Sequence, residues 1–78
     1  MKFIELEYYE WQAYTDGIQI THLRTNKVAI NIFNIASIEE VKHIKNFSTD
    51  FNYTLIHTIS GKSYLVNKSY SNIINLLK

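Results

Sequence analysis

From Phe3 the chain alternates, with Ile4, Leu6 and Tyr8 on one side and Glu5 and Glu7 on the other, the period of two that a half-buried strand requires. Asp16-Gly17 stands between Ala13-Tyr14-Thr15 and Ile18-Gln19-Ile20 and predicts a hairpin, because both central positions of a two-residue type I′ turn need φ > 0. Arg24-Thr25-Asn26-Lys27 reads as a polar break, with Asn26 suited to a left-handed turn position, after which Val28, Ile30 and Ile32 alternate as a third strand.

Residues 35–45 support two readings. Ile35, Ile38, Val41 and Ile44 recur every third residue and Ser37-Ile-Glu-Glu40 fits a capping box, which is the local signature of a helix. The competing reading makes residues 36–45 a strand, entered through a turn or corner at residues 31–35. From Tyr53 the alternation is clean, setting Tyr53, Leu55, His57 and Ile59 against Thr54, Ile56, Thr58 and Ser60. The turn Ser60-Gly61-Lys62-Ser63 then leads into Tyr64, Leu65 and Val66, a predicted hairpin. Tyr70, Ile73, Ile74 and Leu77 follow at helical spacing behind the N-cap candidates Asn67 and Ser69. The polar residues 46–52 form the expected long loop, and no linker or repeat divides residues 1–78, which are expected to be a single domain. The predicted fold class is α+β: a small antiparallel sheet of about five strands, bent or barrel-like, with a C-terminal helix.

Composition narrows the function classes. A chain of 78 residues holds one thin core. With 46% hydrophobic and 19% charged residues it is too apolar for disorder, yet it has no continuous apolar run long enough to span a bilayer. The acids in Met1-Lys-Phe-Ile-Glu-Leu-Glu7 do not suit an export signal, so a cytoplasmic location is expected. No cysteine is present, which excludes disulfides and thiolate metal sites and leaves so small a domain without staples; a homodimer is the expected remedy. Net charge is only +1, but Glu5, Glu7, Glu10 and Asp16 give an acidic, aromatic head to an otherwise mildly basic chain. Abundant Asn, Ile and Lys with no Pro suit an AT-rich coding source such as a low-GC bacterium or its phage.

The stretch Ile30-Asn31-Ile-Phe-Asn-Ile35-Ala-Ser-Ile38-Glu39-Glu40, followed by Thr54-Leu-Ile-His-Thr58-Ile-Ser-Gly61-Lys62-Ser-Tyr64-Leu-Val66-Asn-Lys-Ser69, resembles the small bacterial and phage proteins of the FlbD/SwrD flagellar type. In that pattern "I-N-x-x-x-I-x-x-I-E" is a strand, and "T-x-I-x-x-x-x-G-K-x-Y-x-V-x-x-S" is a hairpin before a terminal amphipathic helix. The resemblance thus implies a strand at residues 37–41, while residues 1–27 exceed the head of those proteins. Thr58-x-x-Gly61-x-x-Tyr64-x-Val66 is also similar to a hairpin of the LytTR DNA-binding domain. That similarity implies, as an alternative function, a nucleic-acid-binding module using Arg24, Lys27, Lys42, Lys45, Lys62 and Lys68, provided they share one face.

Candidate chemistry is sparse. His22, His43 and His57 have no spacing that would place two on one face of a single element, and no metal or other cofactor is expected. His57 reads as a hydrogen-bonded, partly buried imidazole. Glu5 and Glu7 read as a solvated strand face rather than an acid/base pair. No nucleophile elbow, Ser-x-x-Lys or Gly-rich phosphate loop occurs, so no enzyme is expected. The feature that stands out is Tyr8-Tyr9-Glu10-Trp11-Gln12-Ala13-Tyr14, whose large aromatics cannot all enter the core of an alternating sheet. The expected function is therefore a non-enzymatic interaction protein, of phage or mobile-element type, that binds or inhibits a host protein or binds its own copy through Tyr8, Tyr9, Glu10, Trp11 and Tyr14, rimmed by Glu7 and Asp16. A self-contained aromatic cluster under residues 46–52, and an oligomer sequestering a small ligand between subunits, are the other readings.

Overall fold

The computed structural model describes residues 2–15, 17–44 and 52–78. In chain order the elements are β1 (Phe3–Tyr14), β2 (Gly17–Asn31), a 3₁₀ turn (Ile32–Asn34), β3 (Ile35–Val41), β4 (Tyr53–Thr58), β5 (Ser63–Val66) and α1 (Tyr70–Leu77). The strands form one open sheet in the order β2-β1-β5-β4-β3, antiparallel throughout, so the α+β class with a C-terminal helix is as expected. A single isolated parallel bridge joins Ile18, at the start of β2, to Ile44, beyond the end of β3.

Two local expectations are corrected in the first hairpin. Arg24-Thr25-Asn26-Lys27 does not end a strand: Thr25, Asn26 and Lys27 pair with Tyr9, Tyr8 and Glu7, and no described residue other than glycine has positive φ. The polarity is absorbed by a register step instead. Tyr9 faces Thr25 and Trp11 faces Ile20, so Glu10 alone stands against residues 21–24, all of them exposed. Val28 and Ile30 thus belong to the same strand as Ile18 and Ile20, and no separate third strand begins there. Gly17 is likewise not a central turn residue; it lies in β2 paired with Tyr14, at φ +145°.

Residues 35–41 form a strand, entered through the 3₁₀ turn at Ile32–Asn34, where the Phe33 N–H donates to Asn31 Oδ1. The helix-like spacing has a physical cause. The register shifts between Ile35 and Ser37, which lets Ile35 and Ile38 face the same side although they are three residues apart. Val41, three further on, packs on the opposite side. Both sides of the strand are apolar, so the sequence shows a period of three without a helix.

One cluster joins Ile4, Leu6, Ile30, Ile56, Val66 and Ile73; the other joins Ile18, Ile20, Tyr53, Leu55 and Leu65. They occupy opposite faces, since Ile56 and Leu55, or Val66 and Leu65, are strand neighbours. Covering both faces buries four consecutive residues of β4, Tyr53 to Ile56. Thr54, polar and fully buried, is satisfied by donating to the Lys68 carbonyl at 2.7 Å. Ile59, expected on the Leu55 side, is instead 70% exposed in the turn after β4. Of the two N-cap candidates the helix uses Ser69, whose hydroxyl accepts from the Asn72 N–H at 3.1 Å, and it lays Ile73 and Leu77 over β3 and β4. No helix among the described residues is long and apolar enough to cross a membrane.

Candidate functional site

A row of side chains crosses four strands on the face of the Tyr53–Leu55–Leu65 cluster. Register sets Ser63 of β5 opposite His57 of β4, and β3 brings Glu39 diagonally alongside. The row is hydrogen-bonded end to end. The Trp11 indole N–H donates to the Ser63 carbonyl at 3.0 Å, the Ser63 hydroxyl lies 2.7 Å from His57 Nδ1, and His57 Nε2 lies 2.9 Å from Glu39 Oε1. Both contacts are satisfied together if Nε2 carries the proton toward an accepting Glu39 carboxylate and Nδ1 accepts from the Ser63 hydroxyl. His57 thus has both ring nitrogens engaged, in keeping with the half-buried, hydrogen-bonded imidazole expected of it.

This row borders a cleft of about 530 Å³ lined by Trp11, Ile18, Val41, Leu55, Glu39 and His57. The cleft exists because Gly17 and Ile18 come back against His43 and Ile44. A Cβ added at Gly17 would stand 3.2 Å from the His43 carbonyl, a close approach that glycine permits. The sequence points to Trp11 as a contact residue, whereas the company of Ser63, His57 and Glu39 and the cleft beside them arise only from strand order.

The remaining aromatics of the head are half-buried and internally engaged. Tyr8 meets Tyr64 edge to face at 4.9 Å, and Tyr9 meets the buried Tyr53 at 6.1 Å. Tyr14 is half-buried near the hairpin end, while Glu7 and Glu10 are exposed; Asp16 and residues 46–51 of the expected covering loop lie outside the described residues. The buried Tyr53 hydroxyl titrates above its ordinary value of 10.0, first because burial disfavours the phenolate and second because Tyr9 is close. A raised folded value stabilises the fold fully below pH 10.0 and loses that contribution as pH rises from there through the folded value. Urea midpoints measured across this alkaline range are expected to fall more steeply for the wild type than for Tyr53→Phe; parallel curves would contradict it.

The basic residues are dispersed. Lys27 and Lys68 line a second cleft, of about 390 Å³, together with Glu5, Glu7 and Tyr9. Lys42 lies at the Trp11 cleft, Arg24 is exposed in the register step, and the Lys62 ammonium sits 5.5 Å and 5.3 Å from the Tyr8 and Tyr64 ring centres. Lys45 lies outside the described residues. His22 is exposed beside Thr21, and no three His, Asp or Glu side chains among the described residues converge as a metal site. Compared with known proteins, the chain matches no family model, no curated protein and no solved structure.

Proposed function

We propose that this chain is a non-enzymatic interaction protein of the cytoplasm that binds a protein, either a host protein, if a phage encodes the chain, or a second copy of itself, through the hairpin surface around Trp11. The observation that carries this reading is a half-buried tryptophan, tied by its N–H to the Ser63 carbonyl, in the wall of a mainly apolar cleft. A large aromatic held in one orientation gives contact area at low entropic cost, which is why Trp and Tyr dominate interface centres. Tyr9 packs beside Trp11 on the same face and meets Tyr53, whereas Tyr8 supports the sheet from the opposite face through Tyr64; Tyr14 and Glu10 are read as the outer part of the same hairpin surface. The sheet is read as curling toward a barrel at this end, for which the Ile18–Ile44 bridge speaks.

Binding is favoured over acyl transfer despite the carboxylate–imidazole–hydroxyl order of Glu39, His57 and Ser63. Acyl transfer needs donors converging where an oxyanion forms. Ser63 lies within the β4–β5 ladder opposite His57, and its carbonyl is already held by Trp11. The dispersed lysines also weigh against a phosphate-tracking surface.

Light scattering over a range of concentrations, on wild type and Trp11→Ala, tests the proposal. A wild-type dimer that becomes a folded monomer identifies self-association; two monomers, with a lysate protein retained by the wild type and lost by the variant, identify a foreign partner. A variant with native circular dichroism, unchanged mass and unchanged bound proteins overturns the assignment.

A further inference from the structure

We infer that the Trp11 cleft receives an arginine side chain of the protein partner, an inference that rests on the Trp11 surface being the interface. The Trp11 N–H is engaged by Ser63, and both His57 nitrogens are engaged by Ser63 and Glu39, so neither ring has a conventional polar bond left to make. What remains is the indole ring, the carboxylate of Glu39, whose Oε1 alone is bonded to His57 and whose side chain is 64% exposed, and the Glu40 carboxylate, with Lys42 and His43 following beyond the strand end. A π face and an acceptor-only group both select a cation with N–H donors.

The walls narrow the choice further. Ile18, Val41 and Leu55 present apolar surface below the carboxylate, which suits an aliphatic stem entering ahead of, or alongside, a charged head. Among natural side chains, arginine combines such a stem with a planar cation that stacks on an indole and forks onto a carboxylate; lysine has the charge without the plane. Glu39 and Val41 project to the cleft side of β3, whereas Lys42 and His43, also at the cleft, lie beyond the end of the strand rather than in its floor.

The probe is the peptide acetyl-Gly-Arg-Gly-amide, titrated while following the emission of Trp11, the single tryptophan of the chain. A saturable response is expected at a concentration on the order of 1 mM, since one side chain supplies only a small part of an interface. The citrulline and lysine peptides should bind about tenfold more weakly, as should the arginine peptide to Glu39→Gln, because a charge-assisted bond is lost or loses its geometry. The citrulline comparison needs no variant, so it holds even if Glu39→Gln disturbs His57. Equal binding of arginine and citrulline peptides would overturn the inference while leaving Trp11 as an interface. The absence of any saturable response would overturn it too, and the mass and retention measurements on Trp11→Ala would still decide the interface independently.

Discussion

Replacing Ile56 by alanine is expected to lower the thermal midpoint by about 10–25 °C, from a loss of about 2–5 kcal/mol in a domain this small. Ile56 has no solvent exposure and packs in one cluster with Leu6 of β1, Ile30 of β2, Val66 of β5 and Ile73 of α1. Truncation there opens a void inside the cluster these residues share, and the flanking strands β3 and β5 are tied to β4 in a ladder that limits collapse into it. A chain of 78 residues has a total stability of about 4–12 kcal/mol, so the variant approaches the threshold of folding. Ile59, three residues on and 70% exposed, is the internal control: Ile59→Ala should change stability by about 0.5 kcal/mol or less. Calorimetry on the two variants checks this, and equal midpoints would refute the assignment of the core.

The second large effect is expected at Gly17. Its φ of +145° is one that L side chains rarely adopt, and a Cβ would stand 3.2 Å from the His43 carbonyl, so Gly17→Ala combines backbone strain with a contact against main chain. Gly61, at φ +96° with nothing within 4 Å of the added Cβ, carries the backbone penalty alone. Gly17→Ala should therefore cost about 1–3 kcal/mol, more than Gly61→Ala. It should also shift Trp11 emission, because moving Gly17 from His43 loosens the Ile18–Ile44 bridge beside the cleft. Gly61→Ala should leave the emission unchanged. If both variants lose equal stability with the same spectrum, the approach of the hairpin to His43 plays no part in forming the cleft.

The elements whose local signals agreed were legible from the chain. The hairpin through Gly61 had alternation and a glycine turn, and α1 had a cap and an amphipathic spacing, so both lie where their residues predict. Residues 21–27 and 35–41 misled for one reason. Each contains a register irregularity, which shifts side chains between faces without leaving a strand, and a polar run or a period of three is all that shows in sequence. The pairing inside the site was not within reach: a turn at Ser60-Gly61-Lys62-Ser63 would set Ser63 opposite Ser60, and only the longer connection over residues 58–62 sets it opposite His57. Glu39 and Trp11 could not be added, because their positions depend on which strands neighbour β4 and β5.

Periodicity by itself pointed to an antiparallel sheet with a terminal helix, since alternation and caps are properties of contiguous residues, but not to burial of both its faces. Charge and composition set the expectation of binding without metal, thiol or phosphate chemistry. The order β2-β1-β5-β4-β3, the return of Gly17 against His43, and the row from Trp11 through Ser63 and His57 to Glu39 were decided only by tertiary structure. Those features join residues up to 52 positions apart, and pairing at that separation is chosen by the burial of two whole faces together rather than by any local preference.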